Sequence, residues 1–325
     1  MTRSVAGRLT GLALMAAVAA GCGGGSTSSG STSNSSERVV RVAAAENVWG
    51  SIAAQLGGAH AHVVSVITNP NTDPHAYEPT AADARTLASS QLVIENGIGY
   101  DPWVAKLLSA DGGTVTTLDV GELLGVPDGG NPHRWYDPAD VRVVIARLVA
   151  DYQRFDPADR AYFAARQSSF ESSALAEYDA AIASIKERFA GTPVGASESI
   201  FSVLAPALGL DLITPPSFLK AISEGSDVSV ADKQTIDTQI KDHRIAIYVY
   251  NSQNVTPDVQ AQLNEAEAAH IPVATITETL EPATASFQQW QIRQLVGIEA
   301  ALARAAALTT SGHQSGYQPA HQSGD

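Results

Sequence analysis

The sequence has a single cysteine, Cys22, among 325 residues. The chain beyond it therefore carries no internal disulfide, whatever compartment it occupies. Basic residues are scarce as well: 20 Lys and Arg against 34 Asp and Glu give a net charge of −14. That balance excludes nucleic acid as a partner, because phosphate backbones are bound by basic patches. No apolar run is long enough to cross a bilayer. The local metal and calcium motifs are missing too: there is no His-Glu-x-x-His, no cysteine pair and no EF-hand loop. Any metal site must be assembled from residues far apart in the chain.

What is present begins with a targeting segment. Arg3 and Arg8 form a positive start, and Leu9 to Ala20 is a short apolar stretch. Ala19-Ala20-Gly21-Cys22 supplies small residues before the cysteine, as in a bacterial lipobox, with Ala19 where leucine is usual. Residues 1–22 therefore read as a signal peptide with lipidation at Cys22; the competing reading is an ordinary secretory signal with a chance cysteine. Residues 23–37, almost all Gly, Ser, Thr and Asn, read as a flexible tether. Residues 310–325 read as a disordered tail, with His313 and His321 as weak metal binders at most.

The length between tether and tail suits two domains of roughly 100–150 residues. Short apolar strands alternate with helical patterns throughout, which predicts parallel sheets built from βαβ units. The first half reads as strands near 38–44, 62–67, 92–94 and 114–118. The second half has strands near 193–197, 211–213, 245–250 and 272–277. Between them, Asp156-Pro157 supplies an N-cap with proline at N1, and no Pro or Gly interrupts the chain from there to Phe189. Phe163, Phe170, Leu175, Tyr178, Ile182, Ile185 and Phe189 recur at mostly helical spacing, giving a rod of roughly 50 Å. The expected fold class is α/β, with two lobes, each a parallel β-sheet flanked by helices, joined by one long rigid helix. The expected boundaries are an N-terminal lobe over 38–155, a linking helix over 156–190 and a C-terminal lobe over 191–309.

Four candidate metal ligands share one kind of position. His75 sits in a loop after a strand, within three prolines that fix the backbone. His133 sits in a second Pro-flanked loop, 131–138, just before a helix. Glu198 follows the strand that starts at Pro193, and Glu278 follows the strand that starts at Pro272. In open α/β folds that carboxyl-terminal edge is where ligands bind. If the two sheets face each other, two imidazoles meet two carboxylates, a donor set suited to Zn, Mn or Fe. Glu224 and Glu281 compete with Glu278 for the fourth position, and Glu224 lies in a segment that reads as a mobile lid. His60, His62, His243 and His270 read as structural or exposed.

Asp73-Pro74-His75-Ala76-Tyr77-Glu78-Pro79 resembles the signature loop of cluster A-I metal-binding lipoproteins of bacterial ABC importers for zinc and manganese. Asn131-Pro132-His133-Arg134-Trp135-Tyr136-Asp137 resembles that family's second histidine motif, and Glu95-Asn96-Gly97-Ile98-Gly99-Tyr100 its strand-turn. Ala196-Ser197-Glu198 and Thr277-Glu278-Thr279 match its third and fourth ligand positions. The resemblance covers about Val40 to Ala307. It implies an extracytoplasmic, membrane-anchored solute-binding protein, not an enzyme. Such a protein captures one Zn2+, or alternatively Mn2+, between its lobes with little hinge motion and delivers it to an ABC permease. The expected state is a monomer held to the membrane by its lipid anchor. Glu198 stands where many zinc members carry His, and Glu278 where manganese members commonly carry Asp. No His occurs over 111–132, where many zinc members have a His-rich insertion. The competing reading is a secreted metal-dependent hydrolase using the same site, although four protein ligands would close a site that a catalytic metal keeps open.

Overall fold

The computed structural model describes residues 39–74, 76–112 and 115–314, without the side chains of Asp111 and of 309–314. The signal segment with Cys22, the tether, His75 and the tail beyond 314 lie outside the described residues.

Two four-stranded sheets are built in the same way. The first contains β1 (Val40–Glu46), β2 (Ala61–Ile67), β3 (Leu92–Glu95) and β4 (Thr116–Asp119), in the order β2-β1-β3-β4. The second contains β5 (Pro193–Ala196), β6 (Asp211–Leu212), β7 (Tyr248–Asn251) and β8 (Val273–Ile276), in the order β6-β5-β7-β8. Every pairing is parallel. Parallel strands covered on both faces read as continuous apolar runs, and β1 does so: all its residues except Arg41 are buried. The chain reverses its direction across the sheet between β1 and β3, and again between β5 and β7. These are the two points where such sheets open a crevice at their carboxyl ends.

Strand ends differ from the sequence expectation by one to three residues. The apolar run from Ile245 becomes strand only at Tyr248, although Ala246 N–H already donates to Pro193 O at 2.8 Å. Two short helices were not foreseen, Val120–Leu124 and Pro216–Ser223. The last helix, Phe287–Gln314, runs past Thr309 into the stretch expected to be a tail.

Between the sheets the chain is helical over Pro138–Phe155, where Pro138 occupies N1 and Asp137 accepts from Ala139 N–H. A 3-10 turn, Pro157–Asp159, precedes the helix Arg160–Ser169. A π-helical turn, Phe170–Ala174, then leads into Ala176–Phe189. The five-residue step from Phe170 to Leu175 explains that turn. In an unbroken α-helix the step would rotate Leu175 well away from Phe170. The π turn, closed by Leu175 N–H donating to Phe170 O at 2.9 Å, keeps Phe163, Phe170, Leu175, Tyr178 and Ile185 buried on one face.

A single apolar cluster runs from Val42 and Ile94 of the first sheet through Phe163 and Tyr178 to Val194 and Val249 of the second. Trp49, Trp135 and Trp290 are fully buried in it. Each such ring contributes roughly 1.5–3 kcal/mol by leaving water. The last helix belongs to the second half of the chain, yet it reaches the helix Asn47–Gly57 of the first. Phe287 N–H donates to Ser51 Oγ at 2.9 Å, and Gln288 pairs with Gln55. The sheets are therefore joined through a shared core and not through the interposed helix alone.

Candidate metal centre

His133 is delivered by the segment that follows β4 and the short helix Val120–Leu124. It sits at the N-cap of the 3-10 turn Arg134–Tyr136 and is 1 % exposed. Two asparagines fix it. Asn131 Oδ1 accepts from His133 N–H at 3.1 Å and lies 2.9 Å from ring Nδ1, and Asn96 Nδ2 donates to Pro132 O at 2.9 Å. A proton on Nδ1, donated to that carboxamide oxygen, leaves Nε2 with the lone pair that a metal-ligating imidazole needs. Tyr100 and Trp135 pack edge-on against the ring, at 6.1 and 5.5 Å between centroids.

Glu278 comes from the other sheet, two residues beyond β8. Gln253 Oε1 accepts from the N–H groups of Glu278 and Thr279 at 2.7 and 3.0 Å, and so fixes the direction of the strand exit. The Glu278 carboxylate crosses to the first half of the chain. Its Oε1 accepts from Tyr100 Oη–H at 2.9 Å and lies 3.3 Å from His133 Nε2.

Glu198 occupies the crevice between β5 and β7 and is 2 % exposed. Asn251 Nδ2, at the end of β7, donates to its Oε1 at 2.9 Å, and Ser223 Oγ–H donates to its Oε2 at 3.4 Å. Burial, with the charge of Glu278 added to it, pushes the Glu198 carboxyl up to about 8. A positive charge is what such a site lacks, and a divalent cation would supply it.

The structure thus brings His133 and Glu278 into contact and sets Glu198 beside them. These three do not close into a ligand cluster within 4.8 Å among the described residues. His75 itself lies outside the described residues, but its loop does not: Pro70, Thr72 and Asp73 line a cavity of about 430 Å3 together with Gln253, Glu278 and Thr279. A second cavity, about 600 Å3, opens on His133 from the side of Ile98, Leu219 and Ser223.

Glu224 lies in the turn just after a helix. It caps the helix Pro216–Ser223, its N–H donating to Lys220 O at 2.9 Å, because Pro216 opens the helix and Phe218, Leu219 and Ile222 bury one face. Its carboxylate, half exposed, pairs with Lys220. Glu281 is exposed. Tyr100, Asn131, Ser223, Asn251 and Gln253, which orient the ligating groups, were not singled out in the sequence. Tyr100 and Asn131 did stand inside recognised motifs, whereas nothing local marks Asn251 or Gln253.

Two parallel sheets meeting at their carboxyl edges, with an imidazole from one against a carboxylate from the other, define a periplasmic-type binding fold. The fold matches the manganese-bound periplasmic metal binding protein of Candidatus Liberibacter asiaticus at a TM-score of 0.68, with 16 % identity over 81 % of this chain and 99 % of that one. Over residues 42–301 the sequence matches the family ZnuA, zinc-uptake complex component A, periplasmic, and the chain belongs to that family. Among curated relatives it is similar to the manganese-binding lipoprotein MntA of Halalkalibacterium halodurans, 25 % identical over 44 % of this chain and 48 % of the relative. It is also similar to the iron-binding protein YfeA of Yersinia pestis, 27 % identical over 51 % of this chain and 53 % of the relative. The chain spans about half the length of the curated relatives it matches.

Proposed function

We propose that this protein is an extracytoplasmic receptor that captures one divalent transition ion, Zn2+ or Mn2+, and hands it to an ABC permease. The ion would be held by His75, His133, Glu198 and Glu278. The lobes would be 38–155 and 191–309, bridged by 156–190, with Cys22 as the lipid anchor and a monomer as the working unit. The observation that carries this reading is the His133–Glu278 contact of 3.3 Å across the two sheets, with the Asn131 carboxamide oxygen 2.9 Å from the opposite ring nitrogen. Relatives named for manganese, iron and zinc support a divalent transition ion as the cargo. With two nitrogens and two carboxylates, zinc binds more tightly than manganese in vitro, following the usual affinity order. The metallohydrolase alternative draws no support from the family match, and capture and release require no chemistry. Elemental analysis of the purified protein, followed by Zn2+/Mn2+ competition, tests the proposal. One tightly held equivalent of metal is expected in the cleft, lost in His133→Ala; a protein that binds neither ion at micromolar concentration overturns it.

A further inference from the structure

His60 closes the 3-10 turn Gly58–His60 immediately before β2, at the amino end of the first sheet. The crevice that carries His133 is at the carboxyl end, and the seven residues of β2 span roughly 20 Å. His60 therefore cannot belong to the cleft. Its ring is held rigidly. Tyr162 stacks on it at 4.0 Å and 29°, Phe163 meets it edge-on at 6.1 Å, and Tyr162 Oη accepts from Ala59 N–H at 3.0 Å.

Two aspartates from the turn Asp156-Pro157-Ala158-Asp159 face this ring. Asp159 Oδ2 lies 2.6 Å from His60 Nδ1. One oxygen of Asp156, one of Asp159 and a ring nitrogen of His60 all lie within 4.8 Å of one another. Both aspartates stand at helix N-cap positions, where a carboxylate ordinarily accepts from the N2 or N3 amide. Neither does so here. Asp156 is 6 % exposed, yet among the described residues no hydrogen bond or ion pair reaches its carboxyl and no Lys or Arg pairs with Asp159. A lone His60–Asp159 ion pair would account for Asp159. It leaves the Asp156 carboxyl, in a residue 6 % exposed, facing a second carboxyl with no cation beside them among the described residues.

We propose that His60, Asp156 and Asp159 form a second metal site, separate from the cleft, for a divalent first-row transition ion. The cation takes the place of the proton shared by His60 and Asp159 and supplies the charge Asp156 lacks. One imidazole and two carboxylates leave coordination positions for water, because His60 and Asp159 are 16 % and 36 % exposed on their side chains. An open three-ligand site binds more weakly than a closed one with four ligands.

The proposal stands independently of the cleft reading, and the test separates the two. Equilibrium dialysis of the full chain against Zn2+, and separately Mn2+, is expected to show two classes of site. The weaker class disappears, by at least about 100-fold in affinity, in His60→Ala and in Asp156→Asn. It persists in His133→Ala. Asp156→Asn preserves shape and guards against a folding defect in His60→Ala. It should also raise the melting temperature in chelator and lose that advantage in excess Zn2+. A wild-type stoichiometry of one, or a weak class unchanged in both variants, overturns the site.

Discussion

His133 Nε2 and Glu278 Oε1 lie 3.3 Å apart although 145 residues separate them in the chain. The contact joins the two sheets at their carboxyl edges, and Tyr100 Oη–H, donating to the same carboxylate oxygen at 2.9 Å, holds it from the first-sheet side. Around it, Asn131 Nδ2 donates to Ser199 O at 2.7 Å and Tyr136 Oη–H to Thr277 O at 2.6 Å. These bonds span the same divide. Together with the continuous apolar core, they make wide hinge opening expensive and favour local movement of loops around the cleft.

From this arrangement Glu278→Ala is expected to weaken Zn2+ binding by at least about 100-fold, since even losses among supporting residues typically cost 10–100-fold. Glu281→Ala and Glu224→Ala are expected to change it by less than about threefold, because Glu224 pairs with Lys220 and Glu281 is exposed. Isothermal titration of the three variants decides the matter. Wild-type affinity in Glu278→Ala with a large loss in Glu281→Ala would move the fourth ligand by one turn of the loop.

The alternation of strands and helices was legible because buried parallel strands leave short apolar runs between turn residues, as in Leu92-Val93-Ile94. Strand order was not, since the placing of β1 and β5 inside their sheets depends on crossovers that leave no local trace. The π turn was half visible: the Phe170-to-Leu175 step breaks the helical spacing, but only the packed structure shows that an extra residue absorbs it. Candidate ligands were readable where proline-bound loops or strand exits isolate one polar residue. Asn251 and Gln253 were not, because a carboxamide that fixes Glu198 or Glu278 looks like any polar residue after a strand. The His60 cluster was missed because its partners, Asp156 and Asp159, lie nearly a hundred residues on, in a turn where Asp156 read as a helix cap.

Metal binding should register as stability. An ion bound only by the folded state adds RT ln(1 + [L]/Kd), about 4 kcal/mol at a thousandfold excess over Kd. Differential scanning fluorimetry is expected to show a clear rise in Tm with Zn2+ or Mn2+, and the rise should vanish on acidification, because an imidazole must be neutral to ligate. No shift with any first-row transition ion would remove the cleft site from consideration.

The anchor has its own test. Cys22 is the only thiol in the chain, so acylation there can be followed without interference. Wild-type protein should fractionate with membranes, and Cys22→Ser should be released or remain unprocessed. One acyl chain gives only marginal membrane affinity, so stable retention implies more than one. Wild-type protein found wholly in the culture medium would exclude anchoring.

At the carboxyl end of β1, Glu46 is 2 % exposed, and no donor reaches either of its carboxyl oxygens. Its neighbour Asp101 accepts from Asn96 and Gly97 N–H at 2.7 and 2.8 Å, which hold against burial so that its carboxyl is raised only to about 6. Burial, and then the charge of Asp101, push Glu46 well above the ordinary glutamate value of 4.5. Nearby Glu95 is pushed up to about 8, by burial first and then by Asp101 and Asp119. A carboxyl whose folded pKa is raised favours the fold while it is protonated. Its contribution is complete below the unfolded value and is lost as pH rises through the folded one. In chelator, the wild-type Tm should therefore decline from about pH 5 to about pH 8. Glu46→Gln places a permanent amide donor against Asp101 that cannot ionise, so it should match wild type near the acid end and exceed it progressively toward the alkaline end. Parallel Tm-versus-pH curves for the two proteins would show that Glu46 does not carry the proton.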